Sequence, residues 1–282
     1  MRHATLTTCR MLLAICGTLH MTGAVLAQGL LLAQAPAAPG LKSAPAATGL
    51  KPPRAEIEIG YGRETLSNNL PDWKQTYSLV SYRMGDRNTL YGGLRETRRF
   101  GLTDSEAHTG FYFPLGKTWT SQFELSMSPT HEVLPRYSVY GQALKDLHGG
   151  WGVGLGLRHS EYSLTGVNIL SLVGERYWGN FRGAYTLYSG RPEGASSASS
   201  HRFQLSYYYA DRSVVGLSYS TGREVEYIGP ARGVISSDVQ NWTLSGQHWF
   251  TPAWALTYDV VNQDQGILYR RQGLRLGIRH SF

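Results

Sequence analysis

The chain has only two cysteines, Cys9 and Cys16, both within its first sixteen residues. Everything after them lacks a thiol, which excludes disulfides and cysteine-held metals from the main body. Acidic residues are also missing from the beginning: none precedes Glu56. Five of the 27 Lys/Arg lie at or before Arg54, so most of the +7 net charge belongs to this opening region. No basic domain is left for nucleic acid. A helical membrane span needs about 20 apolar residues in a row. The best apolar stretch, near the start, is interrupted by Thr18, His20 and Thr22. Charged residues make up only 17 %, while aromatics reach 12 % with 18 Tyr, and Gly numbers 33.

Residues 1–27 have a positive start (Arg2, Arg10), an apolar middle and small residues near Ala27, the layout of a secretory signal peptide. Cleavage is expected after Ala27, with Ala35 as the alternative. Residues 28–53 contain the near-duplicates "APAAPGLK" and "APAATGLK" and neither an aromatic nor an acid. Such a stretch cannot bury enough apolar surface to offset chain entropy, and a disordered Ala/Pro-rich linker is expected.

From Arg54 to Phe282 the hydropathy alternates with period two. Segments of roughly nine to twelve residues break at turn formers. "RAEIEIGYGRE" puts Ile57, Ile59 and Tyr61 opposite Glu56, Glu58, Gly60 and Gly62. "TWTSQFELSMS" puts Trp119, Phe123, Leu125 and Met127 opposite Gln122, Glu124 and Ser126. "GWGVGLGLRHS" puts Trp151, Val153, Leu155 and Leu157 opposite Gly152, Gly154, Gly156 and Arg158, with the glycines making room for Tyr140 or Tyr162. Segments 73–84 and 167–177 leave the phase ambiguous.

Strands of soluble sandwiches are shorter, about 5–6 residues. Length, alternation and the leader point instead to an all-β, antiparallel, up-and-down transmembrane barrel. Tight breaks at 85–88, 114–117, 148–150, 178–180, 210–213 and 251–253 alternate with breaks at 68–72, 101–105, 129–134, 164–167, 191–199, 228–237 and 263–267. Six turns and seven loops give about fourteen strands, with twelve as the fallback. An even count places both termini on one side, the periplasm of a Gram-negative bacterium, with the longer breaks outside. Trp119, Trp151, Trp178, Trp249 and Trp254 flank the tight turns, as expected for an interfacial belt. The closing strand shows Leu274, Leu276, Ile278 and Phe282 to lipid and Arg275 and Arg279 to the interior. It is expected to pair with the first strand and remove any free edge.

Several stretches resemble the YaiO-type family of outer-membrane barrels: "LYGGLRETRRFGL", "ERYWGNFRGAYTLY", "HRFQLSYYYADRSVVGLS" followed by "GREVE", and the closing "HWFTPAWALTYD" with "QGILYRRQGLRLGIRHSF". The resemblance spans most of residues 55–282 and implies an outer-membrane location. Outer-membrane barrels in general end in an aromatic on such a strand, which resembles the signal read by their assembly machinery; lipid and that machinery are therefore the implied partners. Some related barrels follow periplasmic helical repeats and are linked with exopolysaccharide export. The linker here carries no such repeat.

The histidines after the leader, His108, His131, His148, His159, His201, His248 and His280, are scattered and show no metal-ligand spacing. None has a serine two residues on, the same-face arrangement of outer-membrane lipid hydrolases. A hydrolase or protease assembled across strands is the lesser alternative. No cofactor is indicated. The remaining candidate site is the interior, with Glu56, Arg95, Arg99, Glu124, Arg158, Arg182, Arg202, Asp259, Arg275 and Arg279 expected to face it. Glu58, Arg136, Glu175 and Glu224 are expected there as well, with Tyr91, Tyr112, Tyr140, Tyr188 and Tyr208. The leading functional expectation is a pore for small polar, saccharide or anionic solutes, connected with export of a surface polysaccharide. The alternative is a non-conducting structural or interaction barrel whose outer loops, above all 191–199 and 228–237, meet partners.

Overall fold

A computed structural model describes residues 54–282 apart from Asp86, Asp211 and Arg232. The expected signal peptide and linker lie outside the described residues. Fourteen strands follow one another: β1 (Ala55–Leu66), β2 (Trp73–Arg83), β3 (Thr89–Arg99), β4 (Leu102–Pro114), β5 (Trp119–Met127), β6 (Tyr137–Asp146), β7 (Trp151–Glu161), β8 (Gly166–Trp178), β9 (Phe181–Pro192), β10 (Ala198–Tyr209), β11 (Ser213–Tyr227), β12 (Val234–Trp249), β13 (Trp254–Asp264) and β14 (Arg270–Ser281). Each pairs antiparallel with its sequence neighbours, and β14 pairs with β1, closing the sheet into a barrel. The seam runs in unbroken register from Glu56↔Ser281 to Leu66↔Arg271. The Phe282 amide donates to the Ala55 carbonyl at 2.9 Å, so pairing continues to the last residue.

The period-two pattern divides each strand between two environments. Outside, Ile59 is 62 % exposed, Leu94 64 % and Leu157 60 %, values that would be costly in water and suit lipid. Inside, charged and polar side chains alternate with them and are buried. The two ambiguous segments acquire a phase. In β2, Trp73, Tyr77, Leu79 and Ser81 point in and Val80 and Tyr82 out; in β8, Val167, Ile169, Ser171 and Glu175 point in and Leu170, Leu172 and Trp178 out. Their ambiguity has a physical cause. One end of the interior is itself apolar, so both faces of β8 carry aliphatics there.

That apolar end is the one away from the termini. Tyr140, Tyr162, Val167, Ile169, Tyr188, Val225 and Tyr227 form one buried cluster, with Tyr162 and Tyr227 stacked at 4.7 Å. Val133 and Leu134, from the loop between β5 and β6, are 1 % and 0 % exposed. At the same end, Trp73 packs edge-on against Phe100 and Tyr269, which meet each other at a tilt. Phe100 and Gly101 form the whole connection between β3 and β4, with φ of 52° and 84°. Two positive φ values make the tight hairpin that matches strand twist. A phenylalanine tolerates this backbone because its ring is held by Trp73 at 5.3 Å.

Three expectations change. The break at 101–105 is largely strand and those at 191–199 and 228–237 are partly so: β4 begins at Leu102, and Ser236–Asp238 pair with Arg223–Val225. The connections shrink to 100–101, 193–197 and 228–233. Composition rich in Gly, Ser and Pro reads as loop, yet cross-strand hydrogen bonding satisfies the backbone regardless of side chain. Trp119, Trp151, Trp178 and Trp254 face outward, whereas Trp249 turns inward, where the Arg212 guanidinium lies 3.4 Å from its ring centre. Arg136, expected inside, lies exposed in the loop after β5.

Candidate functional site

Nine of the ten candidate interior side chains are almost fully buried, and Glu56 is half-buried. Most are paired, often directly across one strand pair. Arg95 and Glu106 face each other in register on β3 and β4 and meet at 2.6 Å. Asp259 and Arg275 do the same on β13 and β14, with Nε to Oδ2 at 2.9 Å. Arg182 and Glu175 sit on a diagonal between β9 and β8, 2.7 Å apart. Arg158 reaches over β6 to Glu124 of β5 at 3.5 Å and lies on the Tyr140 ring. Glu124 also accepts from Tyr91 Oη at 3.0 Å. Arg202 lies beside Tyr188 and Glu224.

The densest cluster is at the seam. Glu58 of β1 accepts from Arg279 Nε and Nη2 of β14 at 2.7 and 2.5 Å, from Tyr77 Oη of β2 at 2.6 Å, and from Thr257 Oγ1 of β13 at 2.8 Å. One carboxylate therefore ties together four consecutive strands of the barrel. Arg279 Nη1 reaches on to Gln247 at 2.7 Å, and Glu56 pairs with both Arg279 and Arg212. Glycines make room for the rings: a Cβ at Gly156 would come within 3.2 Å of Tyr140 Oη, whereas Tyr162 is not among its near neighbours.

Arg99 is different. Among the described residues no carboxylate reaches it within ion-pair distance. It lies 4.4 Å from the ring centre of Trp73, while Arg271 occupies the ring's surroundings at 4.8 Å. Arg271 pairs with Glu64 at 2.8 Å. A cavity of about 20 Å³ beside Arg99 is lined by Trp73, Gln75 and Thr97, room for one water-sized particle.

Glu106 and Arg271 also belong to this network, beyond the candidates that the sequence singles out. The parity that places His108 and Tyr112 inside also places Glu106 there, and the parity of Arg275 and Arg279 places Arg271. Leu274, Leu276 and Ile278 face outward, 49 %, 45 % and 41 % exposed. The Phe282 ring packs against His280, which packs against Trp254.

The interior is not uniform along the barrel. Near the termini, Gln204, Ser206, Tyr208, Ser245 and Gln247 remain half-exposed, which leaves a polar vestibule. At the other end Asn241, Gln263, Gln265 and Tyr227 are at 0 %. The plug formed there by Val133 and Leu134 is fastened by Asp104 of β4. Its carboxylate accepts the backbone N–H groups of Glu132, Val133 and Leu134 at 3.0, 2.6 and 2.8 Å. Among the described residues no His/Cys/Asp/Glu group could hold a metal.

These features define a membrane-spanning β-barrel with a side-chain-filled interior. The sequence matches the family described as "YaiO membrane beta barrel domain" over residues 54–226, more than half of the chain, and the protein belongs to that family. The match stops in β11, although the barrel continues to β14. No curated protein matches the sequence. Among solved structures, the fold is similar to a "Bacterial polysaccharide outer membrane secretin", with TM-score 0.51 and 10 % identity, covering 81 % of this chain and 98 % of that one. It is also similar to the outer-membrane protein Omp33 of Acinetobacter baumannii, with TM-score 0.50 and 12 % identity, covering 82 % and 100 %. Identities this low speak to the fold alone. The chain is thus an outer-membrane β-barrel of the YaiO family.

Proposed function

We propose that the protein is a barrel held closed at rest by its own interior, a structural or interaction barrel and not an open diffusion pore. The observation that carries this reading is the burial and pairing of its interior charges. An arginine selects passing anions when its charge faces a water-filled path. Here Arg95, Arg158, Arg182, Arg275 and Arg279 spend that charge on Glu106, Glu124, Glu175, Asp259 and Glu58. Of the two readings that the sequence leaves open, the interior favours the second.

A gated passage for polar or saccharide solutes has one observation in its favour, the polar vestibule near the termini facing a plug held by the Asp104 carboxylate together with hydrogen bonds from Ser128 to the Ser105 carbonyl and from Ser163 to the His131 carbonyl. Bilayer recording separates the two. Wild-type protein is expected to give no steady current, and an ohmic open level would overturn the closed reading. Asp104→Ala removes the acceptor of two buried N–H groups, those of Val133 and Leu134, each worth about 1–3 kcal/mol when left unsatisfied, and of the part-buried Glu132 N–H. Under the closed reading this variant loosens the 128–136 loop, seen as faster amide exchange, and stays silent. Under the gated reading it conducts.

We place both termini in the periplasm, because a chain exported through the inner membrane reaches the barrel from that side, and the loops at 193–197 and 228–233 outside. The chain has no cysteine after Cys16, so Ala195→Cys introduces a single reporter in the exported portion. A membrane-impermeant maleimide is expected to label it on intact cells. Labelling only after the envelope is opened would reverse the orientation.

A further inference from the structure

The rim at the terminus end is chemically divided. On β5–β8 its outward positions alternate aromatic and cationic: Trp119 on β5, Lys145 on β6, Trp151 on β7 and Arg176 on β8, with Trp178 one position nearer the turn. Trp119 pairs directly with Lys145, and Trp151 with Arg176. The Lys145 ammonium lies 5.4 Å from the Trp119 ring centre and the Arg176 guanidinium 5.1 Å from that of Trp151. All five side chains are exposed. Among the described residues no carboxylate occupies an outward position of these strands at this end, and Lys117 in the adjoining turn adds a further exposed cation. Asp146, next to Lys145, takes the inward parity. On the other part of the rim the outward positions Tyr207, Phe250, Trp254 and Phe282 are aromatic, while of its arginines Arg54 and Arg83 take the inward parity and Arg87, in the turn after β2, donates to the Gly116 and Trp119 carbonyls. Arg212, the one basic residue turning between β10 and β11, is drawn inward to Glu56 and Trp249.

We propose that this sector is a binding site for anionic phospholipid. Tryptophan settles at the boundary between acyl chains and headgroups, so the paired cations are held at phosphate depth. Lys145 and Arg176 stand two strand spacings apart, roughly 10 Å, and the Trp rings orient them by cation–π contact. Among the described residues no carboxylate pairs with these charges, and the lipid phosphate is the counter-charge available at that level. A lipid with net negative headgroups satisfies the pair without bringing its own amine, which a zwitterionic headgroup would.

The test is native mass spectrometry of the detergent-released barrel incubated with phosphatidylglycerol, phosphatidylethanolamine or lipid A. Phosphatidylglycerol is expected to be retained about thirtyfold over phosphatidylethanolamine, the order that two membrane-surface cations provide. Lys145→Gln with Arg176→Gln is expected to abolish the preference, while Lys74→Gln with Arg98→Gln, which removes two outward cations at the opposite end, leaves it intact. Equal retention of the two phospholipids by wild-type protein would overturn the proposal, as would preferential retention of lipid A, or an unchanged preference in the Lys145/Arg176 variant. The wild-type comparison decides the matter even if that variant fails to fold. Its outcome is independent of whether the barrel conducts.

Discussion

Glu58→Ala is expected to be the most destabilising single change in the barrel, costing about 3–5 kcal/mol, the range for breaking a buried ion pair by removing one partner. The loss is large because the carboxylate is 1 % exposed and serves donors from β14, β2 and β13 at once. Without it, Arg279 keeps Gln247 and the more distant Glu56 but loses its two-pronged partner. Tyr77 and Thr257 lose an acceptor in the same step. The break falls on the seam, where β1 and β14 must find each other across the whole chain. The measurement is the urea midpoint of unfolding in detergent, followed by the loss of heat-modifiable migration. A companion variant separates charge from packing. Glu58→Met combined with Arg279→Met removes both charges, and replacing a buried pair with apolar side chains is often neutral. Recovery of most of the midpoint is expected. A midpoint for Glu58→Ala within error of wild type would show that the seam does not depend on this cluster.

The second large effect is expected outside. Ile278 lies between Ile59 of β1 and Leu256 of β13 and faces lipid. Along β14 the outward face runs from Gln272 at the polar rim to Phe282 at the other boundary, which puts Ile278 close to the middle of the apolar band. Ile278→Arg is expected to cost about 2–4 kcal/mol, the range for arginine near the bilayer midplane. Low yield in the membrane and a shifted folded band on unheated gels are the readouts. Gln272→Arg places the same charge on the same strand at the rim, where exposed Arg270 already resides, and is expected to cost about 0–1 kcal/mol. Equal yields for the two variants would mean that this face of β14 does not contact acyl chains.

Both predictions rest on features of different legibility. The outward identity of Ile278 follows from counting: Leu274, Leu276 and Ile278 share a parity, and parity is local. The strand count, the faces of nearly every strand and the positions of the tight turns come from the same local regularity. Where it failed, a local cause is visible. The Ser- and Gly-rich ends of β10 and β12 look like loop because residue type, not backbone pairing, is what a sequence displays. Trp249 looked like a belt residue because it lies beside a turn, but its parity is that of Gln247, and Arg212 holds it inside.

What the sequence by itself determined is the barrel: period-two alternation in long segments allows one environment on each face, and closure is the arrangement that leaves no edge in lipid. What only the tertiary structure decided is which of the inward groups meet. Glu58 and Arg279 are 221 residues apart in the chain. Glu124 and Arg158 meet across an intervening strand. Asp104 catches a loop 28 residues on. Parity says that such groups point inward, but not which of them touch. Touching depends on register and on the diameter at which the sheet closes. It separates an arginine that lines a channel from one that fills it.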